Sequence, residues 1–123
     1  MAGDPAISYT ETHQVVVRVG YGSDPEVANR LEYSNIIINY QATPEEEGFT
    51  ASGAIRIGVA EMTRFGFGDQ EFAETAGLMA DVILRNKDVK EEVTKLRGNF
   101  TKLNYCFDDE AIAAQLEKLK STL

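Results

Sequence analysis

At 123 residues, with 20 acidic and 12 basic side chains, the chain carries a formal charge of −8 and holds a single cysteine. This length makes one domain able to bury about two thirds of its unfolded surface, and the acidic balance disfavours nucleic acid and anionic membrane as partners, since both reward basic surfaces. No apolar run approaches the ~20 residues that span a bilayer, and the amino end lacks a signal peptide's basic and apolar regions.

Met1 to Ser8 show no periodicity and are expected to form a disordered tail over residues 1–8. His13 to Val19 is β-branched and reads as a buried strand, with His13 as a buried, hydrogen-bonded side chain rather than a general base. Gly20 to Ser23 turns the chain. Asp24 then caps a helix with Pro25 at its first position, and Val27, Ala28 and Leu31 take the inner side before Asn35 ends it. Ile36 to Tyr40 is a second strand, and Thr43 to Gly48, with Glu45, Glu46 and Glu47, is an acidic surface loop.

The third strand, Ala54 to Val59, sets an arginine in an apolar run. The two-residue period sends Ile55, Ile57 and Val59 to one face and Arg56 to the other. Asp69 caps a long helix with Phe72, Ala76, Met79, Val82 and Ile83 at helical spacing. Asp88 opens another with Glu91 as its capping-box partner and Val89, Val93, Leu96 and Phe100 on one stripe. Asp108 starts a last helix with Ile112, Leu116, Leu119 and Leu123 on one face and Phe107 placed to staple onto Ile112. That stripe is open to closing this domain's own core or to docking on another chain; the covering role usual for an amphipathic helix favours the core. The order gives an α+β fold, a small and mostly antiparallel sheet of about three strands covered by helices, with two additional C-terminal helices.

Few side chains here can do chemistry. Arg56 is open to an ion pair with Glu61 or the capping of a sheet edge, and equally to gripping a carboxylate through its planar fork, a geometry lysine cannot offer. Arg64, in a turn before Gly66-Phe67-Gly68, is a weaker candidate for an anion, and that glycine pair lacks the Lys-Ser/Thr of a phosphate loop. Cys106, between aromatic residues, reads as a buried inert thiol; it permits no internal disulfide, which suits a reducing, cytoplasmic location. One His and one Cys far apart make no metal set. Lys87, Lys90, Lys95, Arg97 and Lys102 interleave with acids and read as a solvated face.

The stretch Ser52-Gly53-Ala54-Ile55-Arg56-Ile57-Gly58 resembles the Ser-Gly-Ile-Arg-Ile/Val-Gly-Thr motif in the C-terminal small domain of serine hydroxymethyltransferase, a fold-type I pyridoxal-phosphate enzyme, with one extra residue near Ala54. Thr12 to Val17 is similar to that family's Asn-His-Leu-Val-Leu-Val strand, and Asn35 to Gln41 to its Asn-Ile-Thr-Val-Asn-Lys-Asn strand. Gly66-Phe67, the helix from Glu71 to Arg85 and the segment from Val89 to Tyr105 follow in the family's order. The resemblance departs at Tyr40 and Gln41, where the family has Lys and Asn, at Val59-Ala60 for Thr-Pro, and at Phe65 for the second arginine of Thr-Arg-Arg-Gly-Phe.

The resemblance implies a small domain over residues 9–107, with 108–123 as an additional helix packing on the same domain. It implies that Arg56 binds the carboxylate of serine or glycine, and that Asn39, Gln41 and Arg64 are open to folate or substrate contacts. In the family the cofactor lysine lies in a Thr-Thr-Thr-His-Lys motif of the large domain. None of this chain's lysines, at positions 87, 90, 95, 102, 118 and 120, follows a histidine. The expectation is therefore a domain that is inactive alone and binds no cofactor by itself. Its partner would be the large pyridoxal-phosphate domain of a parent enzyme, a homodimer that interconverts serine and glycine with one-carbon transfer to tetrahydrofolate. The departures leave open a folate-independent relative, an aldolase or aminotransferase, and a stand-alone module that binds an amino acid or a protein.

Overall fold

The computed structural model describes residues 5–7, 9–43, 52–105 and 108–122. Within the stretch expected to be a tail, Pro5–Ile7 makes one 3-10 turn. Strand β1 (Gln14–Arg18) leads to helix α1 (Asp24–Tyr33), strand β2 (Asn39–Gln41) and strand β3 (Ala54–Gly58). Helices α2 (Ala60–Arg64), α3 (Asp69–Arg85), α4 (Lys90–Gly98) and α5 (Asp109–Lys120) follow. The sheet is antiparallel throughout in the order β1-β3-β2, so the Arg56 strand is its centre. This is the α+β class that the alternation of patterns predicts.

The core is one cluster on one side of the sheet: Val27 and Leu31 of α1, Ile36, Ile55 of β3, Met79 and Val82 of α3, and Val89. Val17, Ile38 and Ile57 pack against it half-buried, so the inward set of β3 is Ile55 and Ile57, as its period dictates. Val59 leaves the strand and stands at the cap of α2.

Helix α1 ends in a Schellman turn. Asn35 takes a left-handed conformation at φ 64°, its N–H donates to the Glu32 carbonyl at 2.9 Å, and the Ile36 N–H reaches the Leu31 carbonyl at 2.9 Å. The turn presses Ile36 onto Leu31 within the core and aims the chain into β2. At the far side Arg30 donates through Nη2 to the Val82 carbonyl and joins α1 to α3.

The helix starts differ from the expected caps. Ser23 holds the cap position of α1, whereas Asp24 is its first residue and is fully buried. Asp69 lies inside α3; Gly68 is the cap, and its N–H donates to Glu71 Oε2 at 2.9 Å. Before α4 the cap position falls on Val89 rather than Asp88, and Asp88 Oδ1 accepts from the Lys90 N–H at 3.0 Å, so the expected capping box with Glu91 is not formed. Asp108 does cap α5, through Oδ1 to the Ala111 N–H at 2.7 Å. The stripe of α5 does not close the core among the described residues. Ile112, Leu116 and Leu119 stay 39%, 50% and 58% exposed, and Phe107 and Leu123 lie outside the description.

His13 also corrects the sequence reading. It sits just before β1 with its side chain exposed, because the strand's ladder starts at Gln14; its carbonyl accepts from the Val59 N–H at 3.3 Å. No helix among the described residues is long and apolar enough to cross a membrane.

Leu31 is completely buried where α1, the Schellman turn and β3 meet. Leu31→Ala should lower unfolding free energy by about 2–5 kcal/mol in denaturant titration. A second test concerns the end of α3, where Asp81 accepts from Arg85 and, at 3.3 Å, from Lys87. Hydrogen bonds first from Arg85 and then from Lys87 hold this carboxyl below its ordinary value of 3.8. A depressed carboxyl stabilises the fold above its unfolded value, and that gain disappears as pH falls through the folded one. Asp81→Asn should therefore be less stable than the parent chain at neutral pH, with the difference in melting temperature shrinking below pH 3.8.

Candidate functional site

Directly opposed residues in an antiparallel ladder share a face. Arg56 lies opposite Val16 of β1 and Asn39 of β2, and Gln41 lies opposite Ala54. Arg56, Asn39 and Gln41 therefore stand on one face of the sheet, the one opposite Ile55 and Ile57. Three of the four candidate residues are brought together by register alone.

These residues line an open groove of about 570 Å³. Ile37 to Gln41 form its length, Arg56 enters from β3, and Ala28, Asn29 and Glu32 enter from α1. Arg56 is half-buried, and among the described residues its guanidinium has no ion-pair or hydrogen-bond partner. The ion pair to Glu61 is not made. Glu61 instead lies 3.9 Å from Arg64, in the next helix. A half-buried guanidinium presents five donors in a rigid fork, a geometry that matches a planar carboxylate. The amides of Asn39 and Gln41 add donors and acceptors beside it.

Arg64 is not part of this groove. It ends α2, 52% exposed, with its guanidinium carbon 6.0 Å from the centre of the Tyr105 ring and its carbonyl accepting from the Asn104 N–H at 2.6 Å. Its surroundings are a local brace between α2 and the segment after α4. Gly66-Phe67-Gly68 has a packing role as well. Gly66 adopts φ 98°, where a Cβ would come within 3.1 Å of Asn104, and this delivers Phe67 edge-on to Phe72 and Phe100, with ring centres 5.5 and 4.8 Å away.

The lysines of the second half behave as a solvated face, whereas Arg97 is half-buried and donates to the Phe100 carbonyl. Lys87 lies 3.3 Å from Asp81 and 3.4 Å from Glu92, Lys90 covers the Tyr33 ring at 4.8 Å, and Arg97 covers the Phe65 ring at 4.1 Å. Among the described residues no cluster of His, Cys, Asp and Glu could hold a metal ion. Cys106 and Glu45 to Glu47 lie outside the described residues.

Sequence reasoning missed Asn29 and Glu32. Their spacing of three puts both on one side of α1, next to the buried Val27, Ala28 and Leu31. The signal lay in that helical period, but only the fold shows that this flank borders β2. With Glu32 the groove holds an anion as well as a cation.

The groove contains no lysine, and the amine of a lysine is what holds pyridoxal phosphate as a Schiff base. Lys90 and Lys95 are on α4, Lys118 and Lys120 on α5, and Lys87 and Lys102 in the connections beside α4. The described residues do not fit that cofactor as its holder.

No protein-family model matches the chain. A serine hydroxymethyltransferase of Saccharolobus islandicus is 40% identical over 121 residues, covering 94% of this chain and 27% of that protein. One from Pyrobaculum aerophilum is 43% identical over 105 residues, covering 82% and 24%. Among solved structures, the L-threonine transaldolase of Pseudomonas fluorescens in its internal aldimine state superposes with a TM-score of 0.72 at 27% identity, covering 89% of this chain and 27% of that one. The chain thus spans about a quarter of the length of the curated relatives it matches.

If Arg56 serves as an anion contact and not as a structural tie, Arg56→Glu should cost the fold little, because its guanidinium makes no bond among the described residues. The expected outcome is an unfolding midpoint close to that of the parent chain in denaturant titration. A collapse of stability would mean that the guanidinium holds the sheet together.

Proposed function

Because the chain belongs to the serine hydroxymethyltransferase family, as its C-terminal small domain, we propose that it supplies the substrate-carboxylate site of a longer pyridoxal-phosphate enzyme interconverting serine and glycine. The observation that carries this reading is Arg56, half-buried and without a described partner on the central strand, in a groove with Asn39 and Gln41. Its fork would take the carboxylate of serine or glycine through two parallel hydrogen bonds, and Asn39 and Gln41 would contact the substrate or a folate. Arg64, braced against Tyr105 and Glu61, is a lesser candidate for such contacts.

The cofactor, with its lysine, belongs in this reading to the large domain that the chain does not span, and the chain alone is inactive. Pyridoxal phosphate supplies the electron sink for breaking a bond at the amino acid's Cα. The work of this chain is to hold the carboxylate, which fixes the orientation of the amino acid and so selects the bond that breaks. The parent enzyme would work in the cytoplasm as a homodimer.

A second reading is favoured by the likeness to the transaldolase together with Tyr40 and Gln41, which replace the Lys and Asn of the family strand. Here the same arginine holds an amino acid in a folate-independent reaction. Serine turnover by the parent enzyme that requires tetrahydrofolate supports the first reading; turnover of threonine with an aldehyde acceptor and no folate supports the second.

Both readings share one expected outcome. A charge-assisted contact to a carboxylate contributes about 1.5–3 kcal/mol. Arg56→Ala in the parent enzyme should accordingly raise KM for the amino acid by about ten- to a hundred-fold. Unchanged saturation by the amino acid would remove Arg56 from the site.

A further inference from the structure

Asp24 is 0% exposed, its Oδ2 accepts from the Ser52 hydroxyl, and its Oδ1 has no partner among the described residues. A buried carboxyl group is costly to desolvate, and apolar residues of similar size would fill the space at lower cost. Its place in the fold suggests what it does. Asp24 is the first residue of α1, and Ser52 lies two residues before β3. Their side chains therefore join the starts of the two elements that bring Asn29 and Glu32, on one hand, and Arg56, on the other, into the groove.

Backbone bonds reinforce the same junction. The Gly22 N–H donates to the Ser52 carbonyl and the Val19 N–H to the Gly53 carbonyl, both at 2.8 Å. The turn before α1 is thereby tied to the residues that feed β3. The helix N-terminus, with its partial positive charge, favours a carboxylate at this position. Register matters more here than elsewhere, since a one-residue slip of β3 would send Arg56 into the core and Ile55 onto the groove face.

We propose that Asp24 and Ser52 form a clamp that positions Arg56 relative to α1, so that the pair sets affinity for the amino-acid carboxylate without touching it. This rests on the reading of Arg56 given above. Asp24 and Ser52 are positioning residues: the hydroxyl proton stays on Ser52, and neither group meets the substrate.

The test is made in the parent enzyme with Ser52→Ala, Ser52→Thr, Asp24→Asn and Arg56→Ala, recording KM and kcat for the amino acid well below each protein's melting temperature. Small displacements of a positioning group are expensive, so Ser52→Ala should raise KM about ten-fold and change kcat less. Ser52→Thr, which keeps the hydroxyl, should restore most of the affinity. A residue that only supports the fold would lower Tm and leave KM untouched. Should Ser52→Ala fail to fold, Asp24→Asn carries the same test, with a smaller rise of KM in the same direction. A folded Ser52→Ala or Asp24→Asn enzyme with normal KM, beside an Arg56→Ala enzyme with a raised one, overturns the clamp and leaves the carboxylate reading intact. Normal KM in Arg56→Ala overturns both.

Discussion

β3 has hydrogen-bonded neighbours on both sides, so the two-residue alternation of its side chains decides at once where the core lies and where the charge stands. Ile55 has no exposed surface and Ile57 packs on the core cluster, while Arg56 between them is carried to the other face. Burying a lone guanidinium would cost several kcal/mol, whereas a slip that exposed Ile55 would forfeit about 1.5–3 kcal/mol of burial. Both penalties oppose the same error. Core packing and placement of Arg56 are thus one constraint.

The surrounding elements hold that strand in place. β1 supplies the longer ladder, pairing from Gln14 with Gly58 to Arg18 with Ala54. β2 is only three residues long, yet it lays Asn39 against Arg56 and Gln41 against Ala54. Its entry is governed by the Schellman turn at Asn35, where the same contact that stops α1 also seats Ile36 on Leu31. Asp24 and Ser52 close the junction at the other end of α1. Backbone geometry, apolar packing and one buried polar pair therefore converge on the groove.

Much of this was legible in the sequence because it depends on period and local chemistry. The alternation around Arg56, the helical stripe with Met79 and Val82, the stop at Asn35 and the cap at Asp108 are all properties of neighbouring residues, and the family motif supplied the reason to look at Asn39 and Gln41. What stayed hidden is tertiary. α2 is five residues long, too short for a period to emerge, and its presence turns Arg64 toward Tyr105 and away from the groove. Asp24 carries the signature of a helix cap, but the approach of Ser52, 28 residues on, draws it inside. His13 was expected inside because valines follow it; the ladder begins one residue later and leaves it exposed. The stripe of α5 has the right spacing for a covering helix, yet spacing does not say what is covered.

The carboxylate-binding role of Arg56 is best tested by a structure of the parent enzyme with glycine bound. The Arg56 guanidinium should face the glycine carboxylate with two N–H···O contacts of about 2.7–2.9 Å, on a β3 still in register with Val16 and Asn39. A glycine carboxylate held by another cation, with Arg56 turned to solvent or paired with an acidic side chain of the large domain, would contradict it.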